Sequence, residues 1–222
     1  QDQGIPLANL DVLKWREIDY FILSPGIPHH YPAPHPVVIQ AQEEGLSPIN
    51  DLEVLYQSHP EAFYMGITGT NGKSTTTSLI AHILKETGKS VEVGGNLGIP
   101  VMDLKPLPQD GTYVLEVSSY QLETAPSLHF NISILLNITP DHLERHGGFE
   151  GYVEAKRLIF KNATAQDTLV ISVDDEPCRK IYEELKASSQ VRLIPISVTQ
   201  DLAEGISVID GLLFENDTPI VN

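Results

Sequence analysis

The sequence predicts an α/β protein: a mostly parallel sheet built around a phosphate-binding loop, preceded by part of a smaller α/β unit. Three observations lead there. From residue 61 onward, apolar runs of strand length alternate with helix-length segments, the pattern of parallel strands covered on both faces. Between the first of these strands and the first helix stands GITGTNGKSTTT, residues 66–77, where three glycines lead into Lys73 and a run of hydroxyl residues. Before residue 60 the apolar stretches are short and interrupted by Pro and Gly. The division therefore falls near residue 60, with 1–60 the remnant of a small unit and 61–222 the central one.

In chain order, Ile18 to Leu23 reads as a strand stopped by the turn Ser24-Pro25-Gly26. HPVVIQAQEEG reads as a short helix ending at Gly45, and DLEVLYQSH as another. Between the turn and these helices, PHHYPAPHP holds three histidines; with four prolines and no carboxylate or cysteine beside them, a plain surface loop is expected rather than a metal site. The regular part then runs strand AFYMGIT, helix from Lys73 to Thr87, and strands SVEVGG, TYVLEVS and NISILLNIT. After these come a helix from Phe149 to Thr164, strand TLVISV, a helix around Ile181 to Ser188 and strand VRLIPIS. Leu79, Ile80, Ile83 and Leu84 are expected to be the buried stripe of the first helix, with Gly88 as its cap. The closing GISVIDGLLFENDTPIVN reads as hairpin-like strands added antiparallel at the sheet edge.

Composition bounds the function. A formal net charge of −16 argues against nucleic acid or an anionic membrane surface as main partner, so any bound phosphate must be held locally. No apolar run approaches the roughly 18 residues of a membrane span. A single cysteine, Cys178, fits a reducing compartment, and a cytoplasmic location is expected. The chain opens on Gln1 and closes on TPIVN, as expected of a piece of a longer protein.

The loop departs from the strict pattern G-x-x-x-x-G-K-[ST], because Ile67 stands where the first glycine belongs. The physics survives. A strand ending near Thr68, a turn through Gly69, Thr70, Asn71 and Gly72, and a helix starting at Lys73 aim several backbone N–H groups at one point. Lys73 can neutralise phosphates there, and Ser74 or Thr75 can offer a hydroxyl to Mg²⁺, which prefers oxygen ligands shared with phosphate and water. Glu116, at the end of an apolar strand in VLEVSSYQLE, is either a second metal contact or a solvated strand-end carboxylate. Asn137, Asp141 and His142 follow another buried strand at the same carboxyl edge; the histidine could equally be a helix-start residue. In FEGYVEAKRLIF, Phe149, Tyr152, Val153, Ile159 and Phe160 define an apolar face with Lys156 on or beside it. Such a lysine is either paired or altered, or its stem lies along the core while the amine reaches water.

Together, GTNGKST, GGNLGIP, EVSSYQLE, NITPDHLERHGGFEGYVEAKRLIF and SPGIP resemble the Mur ligases of peptidoglycan synthesis over residues 24 to about 175. The loop lacks the extra glycine of the related folylpolyglutamate synthases. The resemblance implies a Mur ligase central domain preceded by part of a Rossmann-like domain, and a monomeric ATP-dependent ligase. Its substrates would be UDP-N-acetylmuramoyl-L-alanine and D-glutamate; another amino acid, or a binding module without turnover, stays open. It further implies ATP on Gly69, Thr70, Asn71, Gly72, Lys73, Ser74 and Thr75. Two Mg²⁺ ions would be supported by Ser74, Glu116, His142 and a Lys156 carbamylated by CO₂. Lys73, His142 and Lys156 would be catalytic, and Gly26, Asn96 and His142 would contact the UDP-muramyl substrate.

Overall fold

The computed structural model describes residues 4, 9–96, 98–216 and 218–221. After two 3₁₀ turns, Leu10–Val12 and Trp15–Glu17, come β1 (Phe21–Ile22), helix α1 (Pro36–Glu43), β2 (Pro48–Ile49) and helix α2 (Asp51–Ser58). β1 and β2 pair in parallel as a two-stranded sheet, Phe21 opposite Pro48. The strand expected over 18–23 shrinks to these two residues because β2, itself opened by a proline, offers no longer partner. His35 begins α1 by accepting the N–H of Val37 on Nδ1 at 3.2 Å.

The large sheet contains β3 (Phe63–Thr68), β4 (Val91–Gly95), β5 (Thr112–Glu116), β6 (Ile132–Leu135), β7 (Thr168–Ser172), β8 (Arg192–Ser197), β9 (Ile206–Ile209), β10 (Leu212–Glu215) and β11 (Thr218–Val221). Their order is β11-β10-β9-β8-β7-β6-β3-β5-β4. Pairing is parallel from β4 across to β9 and antiparallel only for β9 with β10 and β10 with β11. The expected antiparallel edge is thus present, with β9 itself joining the parallel part. β3 lies between β5 and β6, so the crossovers reverse direction at its carboxyl end. In open α/β sheets that is where ligands bind.

Helix α3 (Lys73–Glu86) covers one face through Ala81, packed with Ile67, Val91, Val114 and Ile134. The other face carries α4 (Ser119–Glu123), α5 (Phe149–Arg157) and α6 (Glu176–Ser188), with α2 in the same cluster: Leu52, Leu55, Leu122, Tyr152 and Ile181 pack with Leu115, Leu169 and Ile171. Seven of these eight side chains are at least 95% buried, which is what holds α2 against the large sheet's body. Glu53 of α2, fully buried, accepts the N–H groups of Ser127 and Leu128 at 3.0 and 3.1 Å and ties this packing down.

Several elements differ from expectation, each for a local reason. α4 was not foreseen: Ser118 and Gln121 form a capping box that starts a helix directly after β5. β6 ends at Leu135 because β3, its partner, turns away into the glycine-rich loop after Thr68; residues 136–139 follow that loop instead. α6 begins at Glu176, earlier than expected, because Asp175 caps the N–H of Cys178 at 2.9 Å and Pro177 fits a first turn. The helix expected from 149 to 164 ends at Arg157 and tightens into a 3₁₀ turn over Leu158–Phe160. On α3 the core-facing stripe is Thr77, Ile80, Ala81 and Leu84, at i, i+3, i+4 and i+7. Leu79 and Ile83 are 55% and 51% exposed, contrary to expectation. The glycine-rich loop sets the helix's rotation at its N-terminus, and that leaves these two outward.

Candidate active site at the carboxyl edge of the sheet

The loop between β3 and α3 is shaped by backbone conformations that glycine adopts readily: φ is +156° at Gly69 and +82° at Gly72. Gly72 precedes α3 without any side-chain cap, so the first-turn N–H groups keep no intrahelical acceptor and face outward. The amine of Lys73 folds back onto the carbonyls of Gly69 and Thr70 at 3.0 and 2.9 Å.

Lys156 reaches the same place from α5. Its side chain is 2% exposed, its Nζ donates to the Gly69 carbonyl at 2.7 Å, and it lies 4.7 Å from the centre of the Tyr152 ring. Burial pushes its amine down to about 7, and the neighbouring Lys73 charge pushes the same way, against the opposing pull of Asp141 and Cys178. The amine does not reach water along a buried stem. It ends inside the site.

A second group forms beside the first. Ser74 Oγ donates to Glu116 Oε2 at 2.6 Å, and Asn96 Nδ2 donates to Glu116 Oε1 at 3.0 Å, with the carboxylate only 2% exposed. Gly95, at φ +100°, permits this approach, since a Cβ there would collide with the Glu116 carbonyl oxygen. Glu116 is therefore not a solvated strand end.

His142 sits on the loop after β6, half-exposed, at φ +49°, with Nε2 3.5 Å from Asp141 Oδ2 and its ring 5.4 Å from that of Tyr120. It makes no direct contact with Lys73 or Glu116, but Asp141 acts electrostatically on Lys156. Farther along this loop Arg145 lies over the Tyr120 ring at 4.8 Å and donates to the carbonyls of Gly26 and Pro25 at 2.8 and 3.3 Å. The Ser24-Pro25-Gly26 turn is thereby held against the rim. Thr75 is exposed on the first turn of α3.

The proline-rich loop is largely exposed, as expected of a surface loop, with His29 the exception. His29 is buried, its Nε2 3.6 Å from Glu123 Oε2, while Glu123 Oε1 lies 3.4 Å from His146 Nδ1 and His146 Nε2 is 3.0 Å from Ser119 Oγ. This resembles a hydroxyl–imidazole–carboxylate series, but Ser119 and His146 are 4% and 3% exposed, closed to any substrate.

Other contributors carried no role in the sequence reading. Asn137 and Thr139 bond to the glycine-rich loop, and the Tyr152 hydroxyl lies 3.2 Å from Thr70 Oγ1. Next to Asn71 and Gly72 opens a cavity of about 600 Å³, walled by Leu136, Ile196, Ile206 and Leu213. Among the described residues no three His, Cys, Asp or Glu side chains gather into a closed metal site, and no helix is long and apolar enough to cross a membrane.

A strand–glycine loop–helix unit with a lysine at its tip, set at the reversal point of a parallel sheet, defines a P-loop α/β protein. The description "Mur ligase middle domain" matches residues 67–207, and the chain belongs to the Mur ligase family. It is 48% identical over 219 residues to UDP-N-acetylmuramoylalanine--D-glutamate ligase of Paramagnetospirillum magneticum, covering 99% of this chain and 48% of that protein. The protein of the same name from Rhodospirillum rubrum is 44% identical, covering 96% and 46%. The chain thus spans about half the length of the curated relatives it matches. A solved UDP-N-acetylmuramoyl-L-alanyl-D-glutamate--2,6-diaminopimelate ligase shares the fold at TM-score 0.60 and 20% identity, over 94% of this chain and 54% of that one. A UDP-N-acetylmuramate:L-alanyl-gamma-D-glutamyl-meso-diaminopimelate ligase from Neisseria meningitides does so at 0.62 and 14%, over 95% and 69%.

Proposed function

We propose that this chain is the substrate-binding and ATP-binding part of a cytoplasmic, monomeric ligase that couples D-glutamate to UDP-N-acetylmuramoyl-L-alanine in peptidoglycan synthesis. Residues up to about 60 belong to the UDP-substrate unit and 61–222 to the nucleotide unit. The observation that carries the reading is the convergence of the Lys73 and Lys156 amines on one carbonyl, with no anion between them, at the tip of a P-loop. The names of the relatives select the substrates.

In this reading the Lys73 amine leaves its two carbonyls for the β- and γ-phosphates, and the first-turn N–H groups of α3 complete the cradle. The nucleoside takes the cavity beside Gly72. Ser74 and Glu116 offer the hard oxygens that suit Mg²⁺, with phosphate and water oxygens completing its shell. His142 stands where the second ion or the substrate carboxylate would be met. When bound, Mg²⁺ neutralises charge as two anions approach. Asn96 and the Gly26 backbone face the UDP-muramyl substrate. Its carboxylate oxygen attacks the γ-phosphorus and ADP leaves. The amine of D-glutamate then attacks the acyl carbon, phosphate departs, and an amide remains. A Lys156 amine whose value lies near 7 has a substantial neutral fraction at pH 7 that can form an N–C bond to CO₂ and release a proton, and the resulting carbamate removes the repulsion against Lys73.

A panel of amino acids with UDP-N-acetylmuramoyl-L-alanine and ATP, scored for phosphate release, tests this in the chain and in a version extended to the relatives' length. Release with D-glutamate is expected in the extended protein; release with a different amino acid alone would overturn the assignment. A second reading, a binding module without turnover, is favoured only by the half-length match. ATP binding without phosphate release in both proteins would establish it.

A further inference from the structure

We infer that Asn137 is the positioning residue of the phosphate-binding loop, a latch that presets the loop before any nucleotide arrives. The inference rests on the proposal that this loop holds a triphosphate. Asn137 leaves β6 where that strand loses its partner, and its side-chain amide meets the loop tip three times. Oδ1 accepts the N–H of Thr70 at 3.1 Å and of Asn71 at 2.8 Å, and Nδ2 donates to the Asn71 carbonyl at 3.0 Å. Two N–H donors on one side and a carbonyl on the other leave one amide orientation that satisfies all three. The backbone repeats the message: the Thr70 N–H also reaches the Asn137 carbonyl at 3.0 Å.

The latch has a chemical consequence. The Thr70 and Asn71 amides are spent on Asn137, so the donors left for phosphate are those of the first turn of α3, together with Lys73. The loop's own entropy is removed beforehand, which strengthens binding without adding a contact to the ligand. Thr139, two residues on, donates its N–H to Thr70 Oγ1 at 3.0 Å, so the segment fixing the loop leads directly to Asp141 and His142. The neighbouring Leu136 side chain is apolar and cannot substitute for the amide.

Residue-resolved amide exchange and Mg-ADP titration on the chain, wild type and Asn137→Ala, decide the matter. The Asn71 amide, which loses its acceptor, should exchange about tenfold faster in the variant, the size of one lost neutral hydrogen bond, while Thr70 keeps the Asn137 backbone carbonyl and changes less; Mg-ADP affinity should fall about tenfold. Unchanged exchange at Asn71 overturns the latch, as does unchanged affinity where the wild type binds. A wild type that binds no Mg-ADP defeats the proposed function instead, while the exchange comparison still decides the latch. Should Asn137→Ala fail to fold, Asn137→Asp keeps the acceptor and loses the Nδ2 donor. Retained protection at Thr70 and Asn71 in that variant supports the latch, and protection lost there overturns it.

Discussion

Two buried polar clusters flank the rim and follow opposite electrostatic plans. At the P-loop, Lys73 and Lys156 both donate to neutral carbonyls, and the Lys73 charge raises the cost of charging Lys156. At the junction with the first unit, Glu123 lies between His29 and His146, so a carboxylate is shared by two groups that can carry the opposite charge. A buried cation without a counter-charge costs stability, and a fold retains one where a ligand supplies the anion. At the rim the chain holds no anion between the two amines, whereas at the junction it supplies the carboxylate itself, 3.6 and 3.4 Å from the two imidazoles.

Breaking the rim should have the largest effect. Lys73→Ala is expected to lower ATP-dependent phosphate release in the relative-length enzyme by about a thousandfold, the scale of losing a preorganised charge contact; normal turnover there would remove the P-loop assignment. Lys156 sharpens the contrast, because function and stability should move in opposite directions. Lys156→Ala should abolish release, with partial return in the presence of short carboxylic acids that replace the carbamate. Lys156→Met should make the unliganded chain more stable at pH 7 by about 2–4 kcal/mol in urea denaturation. The sign follows from a folded value of about 7 against an ordinary 10.5. Between those pH values the unfolded chain holds the extra proton, so wild-type stability rises with pH and the advantage of methionine shrinks.

At the junction the expected effects are smaller and opposite in sign. Glu123→Gln should destabilise the chain by about 1–3 kcal/mol while leaving Mg-ADP affinity near wild type; a loss of affinity instead would merge the two clusters into one site. Burial holds the His29 imidazole below its ordinary value, against the pull of Glu123 and with help from His30, Arg145 and His146. Wild-type stability should therefore fall as the pH drops below about 6.5, and Glu123→Gln should steepen that fall. Smallest of all, Ile83→Gln on the exposed flank of α3 should change stability by no more than about 0.5 kcal/mol. A larger loss there would mean that this flank is covered.

Much of the architecture was legible because its signals are local. The strand–glycine–lysine–hydroxyl run marks β3, the loop and α3 by itself, and the apolar face around Lys156 marks a lysine out of place. The capping box Ser118-x-x-Gln121 is an equally local signal of a helix start. The rotation of α3 was not legible, since Leu79-Ile80 and Ile83-Leu84 offer two stripes of equal hydrophobicity and only attachment at Gly72 selects between them. Nor was His29, whose partners lie on α4 and the rim loop, far off in sequence.

The sequence alone determined which residues carry the chemistry: glycines that permit the loop, a lysine at its tip, a carboxylate at a strand end and a lysine on an apolar face. Tertiary structure alone decided where their charges go. Which carbonyl takes each amine, which asparagine holds the loop and which carboxylate lies between two histidines depend on strand order, and strand order joins residues that sequence spacing keeps apart.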